Sequence, residues 1–289
     1  MLLQLLVNGI IMGAIYSLVS LGFALVYNTT RIFHIAYAGI YMFSAYMILS
    51  FYKYLQFPLF LSYLLAIILA IILSILIEKI VYLPLVNKKS SLNVLLISSI
   101  GVMIVIVNSI AMLYGNETKI INPNISKSVQ LGGIIITFSQ VAQFVVSIIL
   151  LLFFLLFLKY SNLGIKTRAM RDDPVLFTVF GKELKRQRLV LFGLSALLAG
   201  TGSTLIAYDV GMDPYVGMPM LLNAVVALII GGVGRFEAPI VGGFIVGILQ
   251  SLAVWVFSSR WQDAVTFSLL LIFLVFRPQG LLGEKQRAV

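Results

Sequence analysis

Long apolar runs recur along the whole chain, and they restrict the possible folds more than any other feature of the sequence. Nine runs are bounded by polar residues, Gly or Pro, and they cover residues 2–27, 38–54, 59–83, 92–114, 139–158, 189–208, 218–231, 239–257 and 264–276. A helix needs roughly 20 apolar residues to cross about 30 Å of hydrocarbon. Lipid offers the backbone no hydrogen-bond partner, so such runs cross as helices. The pattern predicts an all-α, polytopic transmembrane helical bundle of about 8–10 spans.

Composition supports this fold class. Hydrophobic residues make up 61% and charged residues 10% of the 289 residues, against roughly 45–50% and about 25% in soluble globular proteins. An ordinary soluble surface is therefore excluded, and we expect residues 1–289 to form a single transmembrane domain. The second and seventh runs are short and rich in small or polar residues, which is typical of helices that are broken or buried within a bundle.

The net charge of +10 follows the positive-inside rule, since most Lys and Arg residues lie between the apolar runs. The largest cluster, which we call the basic loop, spans residues 159–188. Its basic residues are Lys159, Lys166, Arg168, Arg171, Lys182, Lys185, Arg186 and Arg188. We expect this loop to be cytoplasmic. Alternation from it places the C-terminal tail, with Arg277, Lys285 and Arg287, on the same side and makes residues 115–137 the longest external loop. The charge thus indicates topology and does not indicate a nucleic-acid partner.

Residues suited to catalysis are scarce. There is no Cys, and the single His34 leaves no side-chain set for zinc. No G-x-x-x-x-G-K-[ST] phosphate-binding loop is present. We therefore expect no metal, no cofactor and no enzymatic activity in this chain.

The apolar runs contain almost no ionisable residue. Glu78, near the end of the third run, is expected to pair with Lys79 or to reach the membrane interface. The alternative is a role in a proton relay. A proton- or sodium-driven carrier usually keeps an acid near the membrane midplane, so this scarcity counts against secondary transport.

Gly243 and Gly247 have the GxxxG spacing that lets helices pack closely.

Neutral polar residues within the runs are candidates to line a path for a small polar solute. They include Asn8, Tyr16, Ser17, Asn108 and Asn223. The alternative for each is a hydrogen bond to its own helix backbone or to a neighbouring helix.

The basic loop couples cationic residues to a short apolar helix that ends at Gly181. An amphipathic element of this kind lies on a membrane surface or docks into the groove of a partner.

The residues that carry a recognisable pattern are Gly164, Arg168, Ala169, Arg171, Asp173, Pro174 and Gly181. This pattern resembles the cytoplasmic loop in permease subunits of ABC importers for branched-chain amino acids and their urea and amide relatives. The resemblance extends over nearly the whole chain, including Asn8-Gly9 near the start and Arg277-Pro278-Gln279-Gly280-Leu281 near the end.

The resemblance implies a type II ABC importer-like permease in the inner or plasma membrane. Its substrate would be a small polar solute, with branched-chain or other amino acids favoured. Its partners would be two cytosolic ATP-binding subunits that hydrolyse ATP, a second permease chain in a homo- or heterodimer, and an external solute-binding protein. The basic loop would couple the permease to the ATP-binding subunits. The alternative is a stand-alone secondary transporter or channel for a small neutral solute.

The second span departs from the family pattern. Where the family typically has an Asn-Phe-Ala-His-Gly-Glu-like motif, this chain has the segment from His34 to Gly39, with replacements at His34, Tyr37 and Gly39. We therefore add His34, Tyr37 and Tyr41 to the candidate path residues. The alternative for His34 is an interfacial or core histidine bonded to a backbone carbonyl.

Overall fold

The computed structural model of the chain describes residues 2–121, 128–131, 133–258, 261–277 and 279–283. Pro278, Lys285 and Arg287, which contributed to the predictions above, lie outside the described residues. The helices of the described part are α1 (Leu2–Thr30), α2 (Ala36–Leu49), α3 (Leu59–Ile77), α4 (Leu83–Asn87), α5 (Leu92–Tyr114), α6 (Phe138–Tyr160), α7 (Asn162–Asp172), α8 (Pro174–Val179), α9 (Leu184–Asp209), α10 (Gly217–Gly231), α11 (Ala238–Val256) and α12 (Gln262–Phe276). Two π-helical turns, Ser50–Tyr54 and Glu78–Tyr82, continue α2 and connect α3 to α4.

The helices coincide with the predicted apolar runs. Within the described residues, six helical segments are long and apolar enough to cross a membrane: Leu2–Thr30, Leu59–Asn87, Leu92–Tyr114, Phe138–Tyr160, Leu184–Asp209 and Ala238–Val256. Two shorter apolar helices, α10 and α12, match the seventh and ninth runs. The second run forms α2 and its π-helical turn. The prediction of a polytopic all-α membrane bundle is confirmed.

Contact density divides the chain into two compact units. The first comprises Met1–Ala24, Asn124–Leu155 and Pro219–Val289, and the second comprises Leu25–Pro123 and Leu156–Met218.

The first unit contains a close contact between α1 and α11, made by glycines on both helices. A Cβ added to Gly247 would lie 2.4 Å from the backbone nitrogen of Gly13, and one added to Gly243 would lie 2.4 Å from that of Ser17. No side chain larger than hydrogen fits at such separations. The predicted role of the GxxxG spacing in helix packing is confirmed.

The second unit is built around α2, which is buried on all sides. All of its residues except Phe43 and Met47 are buried, and it packs against α3, α5 and α9. A helix that is hydrophobic all round belongs in the interior of a large bundle. The expectation that the second run is buried is therefore confirmed.

Short β-structure occurs in the predicted external loop. Strand β1 (Ser128–Leu131) pairs antiparallel with β2 (Ile134–Thr137), with Ser128 opposite Thr137. These strands were not predicted within the external loop. The strands are 4 residues each, shorter than the average strand, and their apolar residues do not form a long run.

Candidate functional site

The basic loop folds into two helices, α7 and α8, that follow α6. Ser161 is the N-cap of α7, and its hydroxyl accepts a hydrogen bond from the backbone N–H of Gly164 at 2.9 Å. A Cβ added to Gly164 would lie 2.4 Å from the carbonyl oxygen of Leu158 and 2.5 Å from that of Phe157. Only glycine lets α7 turn this closely against the end of α6.

Both ends of α8 are set by residues of the family-like pattern. Asp173 Oδ1 accepts hydrogen bonds from the backbone N–H groups of Val175 (2.8 Å) and Leu176 (2.9 Å). Pro174 occupies the start of the helix, where its missing N–H costs no hydrogen bond. Gly181 follows the helix with φ of +68°, a conformation that glycine adopts without steric cost.

The two arginines of the pattern make local contacts. Arg168 Nη2 donates to the carbonyl oxygen of Lys159 at 3.0 Å and so ties α7 to the last turn of α6. Arg171 pairs with the neighbouring Asp172, with Nη2 and Oδ1 2.6 Å apart. Ala169 is exposed between them. The anchoring role of Arg168 was not predicted, because no sequence signal places a side chain on a carbonyl nine residues earlier.

One face of α8 is buried and the other is an exposed apolar surface. Phe177 is buried in a cluster with Met170 and Leu191. On the opposite face the exposed fractions are 73% for Val175 and 74% for Val179. We call the exposed apolar residues of this element the α8 face; they are Val175, Leu176, Val179 and Phe180. The helix therefore leaves this face without a partner from this chain in the described residues.

A cavity of about 480 Å³ lies beside the buried face of α8. Its lining includes the cationic side chains Lys166, Lys182 and Arg186, one acid, Glu183, and the apolar side chains Leu163 and Val190. The cavity is thus lined mainly by cationic and apolar side chains, and Phe177 is its contact with α8.

The prediction that Glu78 pairs with Lys79 or reaches the membrane interface is wrong. Glu78 neither pairs with Lys79 nor reaches the surface: its side chain is 0% exposed and forms an ion pair with Arg188 of α9. Consecutive helical residues point in different directions, so Lys79 is turned away from Glu78 and is exposed. Arg188, counted among the loop cations by sequence, is buried as the partner of Glu78.

Four of the candidate path residues lie in the second unit. His34 is buried in the connection between α1 and α2, and its Nδ1 lies 2.9 Å from the hydroxyl oxygen of Tyr82. The Tyr82 hydroxyl donates to Ser99 Oγ at 2.7 Å, which leaves its oxygen free to accept from His34. Burial lowers the pKa of His34 to about 3, so the imidazole is neutral. His34 is thus a core histidine, and its partner is a hydroxyl in place of the expected backbone carbonyl.

The other three residues of this unit differ in exposure. Tyr37 and Tyr41 of α2 are buried. Asn108 is exposed on α5, where its Nδ2 donates to the carbonyl oxygen of Ile104 at 2.8 Å. That bond to the preceding turn is the alternative that the sequence left open.

The remaining four lie in the first unit, and two of them, Ser17 and Asn223, bond one helix to another. Ser17 Oγ lies 2.7 Å from the carbonyl oxygen of Gly13 and 2.8 Å from that of Ile240. Asn223 Oδ1 accepts from Gln250 at 3.0 Å. Asn8 Oδ1 accepts from Gln4 at 3.1 Å, and Tyr16 is buried. Within the second unit the His34 and Tyr37 rings lie 6.0 Å apart, centroid to centroid. The part of all eight residues in a solute path stays a prediction.

The described residues contain no group of three or more His, Cys, Asp or Glu side chains that could hold a metal ion.

Apolar spanning helices, neutral polar groups bonded between them and one exposed amphipathic element define a class: a multi-pass membrane protein with an amphipathic helical element outside the spans. The sequence matches the family described as "Branched-chain amino acid transport system / permease component" over residues 5–274. The chain belongs to this family, and it is the transmembrane permease component of an ABC importer.

Two relatives show how far the similarity extends. The chain is 27% identical to the high-affinity branched-chain amino acid transport system permease protein BraD of Pseudomonas aeruginosa, over 98% of this chain and 96% of BraD. It is also 27% identical to the corresponding permease protein LivH of Salmonella typhimurium, with the same two coverages. The family expected from the sequence is therefore confirmed.

A solved structure supports the fold. The chain is similar to PsaBC from Streptococcus pneumoniae in complex with Fab, with a TM-score of 0.54 and 15% identity. The match covers 96% of this chain and 92% of that chain. The type II ABC importer-like permease fold is confirmed.

Proposed function

We propose that this chain is the permease subunit of an importer that carries branched-chain or other amino acids across the cell membrane. The proposal is supported by the near full-length similarity to BraD and LivH, whose names state that substrate class. The near absence of ionisable residues from the spans fits a path for a small solute that does not use protons as its driving force.

The assembly that we propose has five further parts: a second permease chain of the same or a related kind, two cytosolic ATP-binding subunits, an external solute-binding protein and the surrounding lipid. The family is that of ABC permeases, which work with ATP-binding subunits and a substrate-binding protein. ATP hydrolysis takes place on the separate subunits, and this chain is not an enzyme. The basic loop and the C-terminus face the cytoplasm, as the positive-inside rule favours.

One domain performs this function. The family match covers residues 5–274 without interruption and includes parts of both compact units. Candidate path residues within it are Asn8, Tyr16, Ser17, His34, Tyr37, Tyr41, Asn108 and Asn223.

The observation that carries the proposed coupling role is the α8 face. An amphipathic helix that exposes valines and a phenylalanine is suited to lie in the groove of a partner protein. Asp173 and Gly181 define the ends of α8. Gly164 and Arg168 fix α7 to α6, so the position of the α8 face relative to α6 is well defined. Closure of the ATP-binding subunits would move α7 and α8 together and favour one arrangement of the bundle over another.

The substitution Val179→Asp tests this role. It places a charge on the α8 face at an exposed site, so we expect the chain to insert and fold normally. Because a buried apolar contact in the partner groove would be lost, we expect co-purification with the ATP-binding subunits and amino-acid uptake to fall roughly tenfold or more.

Val210→Asp is the matched control. Val210 is 69% exposed and follows the opposite end of α9, so the same change there should leave co-purification and uptake unchanged. Normal assembly and uptake in Val179→Asp would contradict the assignment of the α8 face to the ATP-binding subunits.

A further inference from the structure

A buried ion pair joins the start of α9 to the third span. Arg188 presents Nε and Nη2 to the two carboxylate oxygens of Glu78, at 2.5 and 3.1 Å. The exposed fractions of the two side chains are 4% and 0%. Removing two charges from water is costly, and a well-packed apolar pair is often as stable as a buried ion pair. Stability alone therefore gives a weak reason for this pair.

The carboxylate sits in an unusual backbone segment. Glu78 opens the π-helical turn Glu78–Tyr82, which interrupts the long helical span Leu59–Asn87. Such turns are rare and are frequently found at functional sites. Both terminal residues of the turn are buried. Tyr82 bonds His34 and Ser99 as described above, so this one turn contacts α9, the connection before α2, and α5.

Gln187, the residue before Arg188, bonds the start of α9 to α7. Gln187 is buried, and its Nε2 donates to Thr167 Oγ1 of α7 at 3.0 Å. The cluster of Met170, Phe177 and Leu191 adds apolar contact between α7, α8 and α9. A displacement of α7 and α8 is therefore passed to the start of α9, where Arg188 lies.

We propose that the Glu78–Arg188 pair is the joint through which the basic loop acts on the third span. Glu78 and Arg188 are then positioning residues for the coupling of transport to ATP hydrolysis. Two hydrogen-bonded contacts between a planar guanidinium and a carboxylate fix direction as well as distance, whereas an apolar contact of the same volume can slide. This inference rests on the proposed function, because it takes the basic loop as the point where the ATP-binding subunits act.

The test uses the complete importer reconstituted in vesicles, and it measures amino-acid molecules transported per ATP hydrolysed. The decisive variant is Glu78→Met with Arg188→Met, which removes both charges and keeps apolar volume in the core. We expect it to assemble with a thermal midpoint near that of the wild type, since no charge is left unpaired. We expect the transport ratio to fall roughly tenfold while ATP hydrolysis continues.

Ser74→Ala is the matched control. The Ser74 hydroxyl donates to the carbonyl oxygen of Phe192 at 2.9 Å, so it is another buried bond between α3 and α9, one helical turn from Glu78. We expect its transport ratio to be that of the wild type. A normal ratio in the assembled double Met variant, or an equal loss in Ser74→Ala, would overturn the proposal.

Arg188→Lys keeps the test decisive if the double variant does not assemble. Lysine retains the charge but lacks the planar fork that holds both carboxylate oxygens. An assembled Arg188→Lys protein with a lowered ratio supports the proposal, and one with the wild-type ratio contradicts it. Failure of the proposed function is distinguishable, because the wild-type importer would then show no ATP-dependent uptake at all.

Discussion

At the scale of single residues, Asp173 shows how one side chain fixes the start of α8. Its carboxylate accepts from two backbone N–H groups that have no partner within the helix. Asp173→Ala should therefore weaken the six-residue α8 by about 1 kcal/mol. Hydrogen exchange of the amides of residues 175–179 measures this loss directly.

Asp173→Asn is the control for charge, because asparagine retains the capping oxygen. We expect exchange in this variant to be close to that of the wild type. Equal protection in Asp173→Ala and the wild type would show that the cap does not hold α8.

Single residues also show which parts of the candidate site could be predicted from the sequence. Asp-Pro followed by a later glycine is a local signal for a capped short helix, and the structure has that helix. The Glu78–Arg188 pair has no such signal, since the partners are 110 residues apart and their meeting depends on how α3 packs on α9. The pairing predicted instead, with Lys79, assumed a surface position for Glu78 that the bundle does not give it.

At the scale of helices, the apolar runs were sufficient to place the six long spanning segments and the two shorter apolar helices of the described residues. Hydrophobic length fixes where a helix starts and ends in a membrane protein more firmly than in a soluble one, because the backbone must bond internally throughout the hydrocarbon. The two π-helical turns and the β-hairpin were not predicted. A π-helical turn adds one residue per turn without any change in hydropathy, and the strands are too short to show a clear alternation.

Close packing of α1 on α11 allows a test at this scale. Gly247→Ala puts a methyl group within 2.4 Å of the Gly13 backbone, so α1 and α11 must separate. We expect the free energy of unfolding to fall by about 1–3 kcal/mol, read as a lower thermal midpoint in detergent.

Gly101→Ala is the corresponding control on a spanning helix. A Cβ added there meets nothing within 4 Å, and alanine is favoured over glycine within helices by about 0.8–1.0 kcal/mol. The midpoint should be unchanged or higher. A similar fall in both variants would mean that glycine content, and not the α1–α11 contact, sets the stability.

At the scale of the whole molecule, composition and topology lead to a permease that takes its driving force from other subunits. The one buried carboxylate among the described spans, Glu78, is neutralised by Arg188. The basic loop is the largest charged segment of the chain and carries the α8 face. Family membership follows from the match over residues 5–274, whereas the solute and the partner chains belong to the proposal.

Amino-acid uptake into vesicles tests the central claim most directly. Purified chain alone is compared with the chain assembled with its second permease, ATP-binding subunits and external binding protein, each with ATP and with a non-hydrolysable analogue on the side of the basic loop. We predict uptake of branched-chain amino acids only in the full assembly with ATP. Uptake by the chain alone, at the same rate with the analogue as with ATP, would contradict the account and identify a stand-alone carrier.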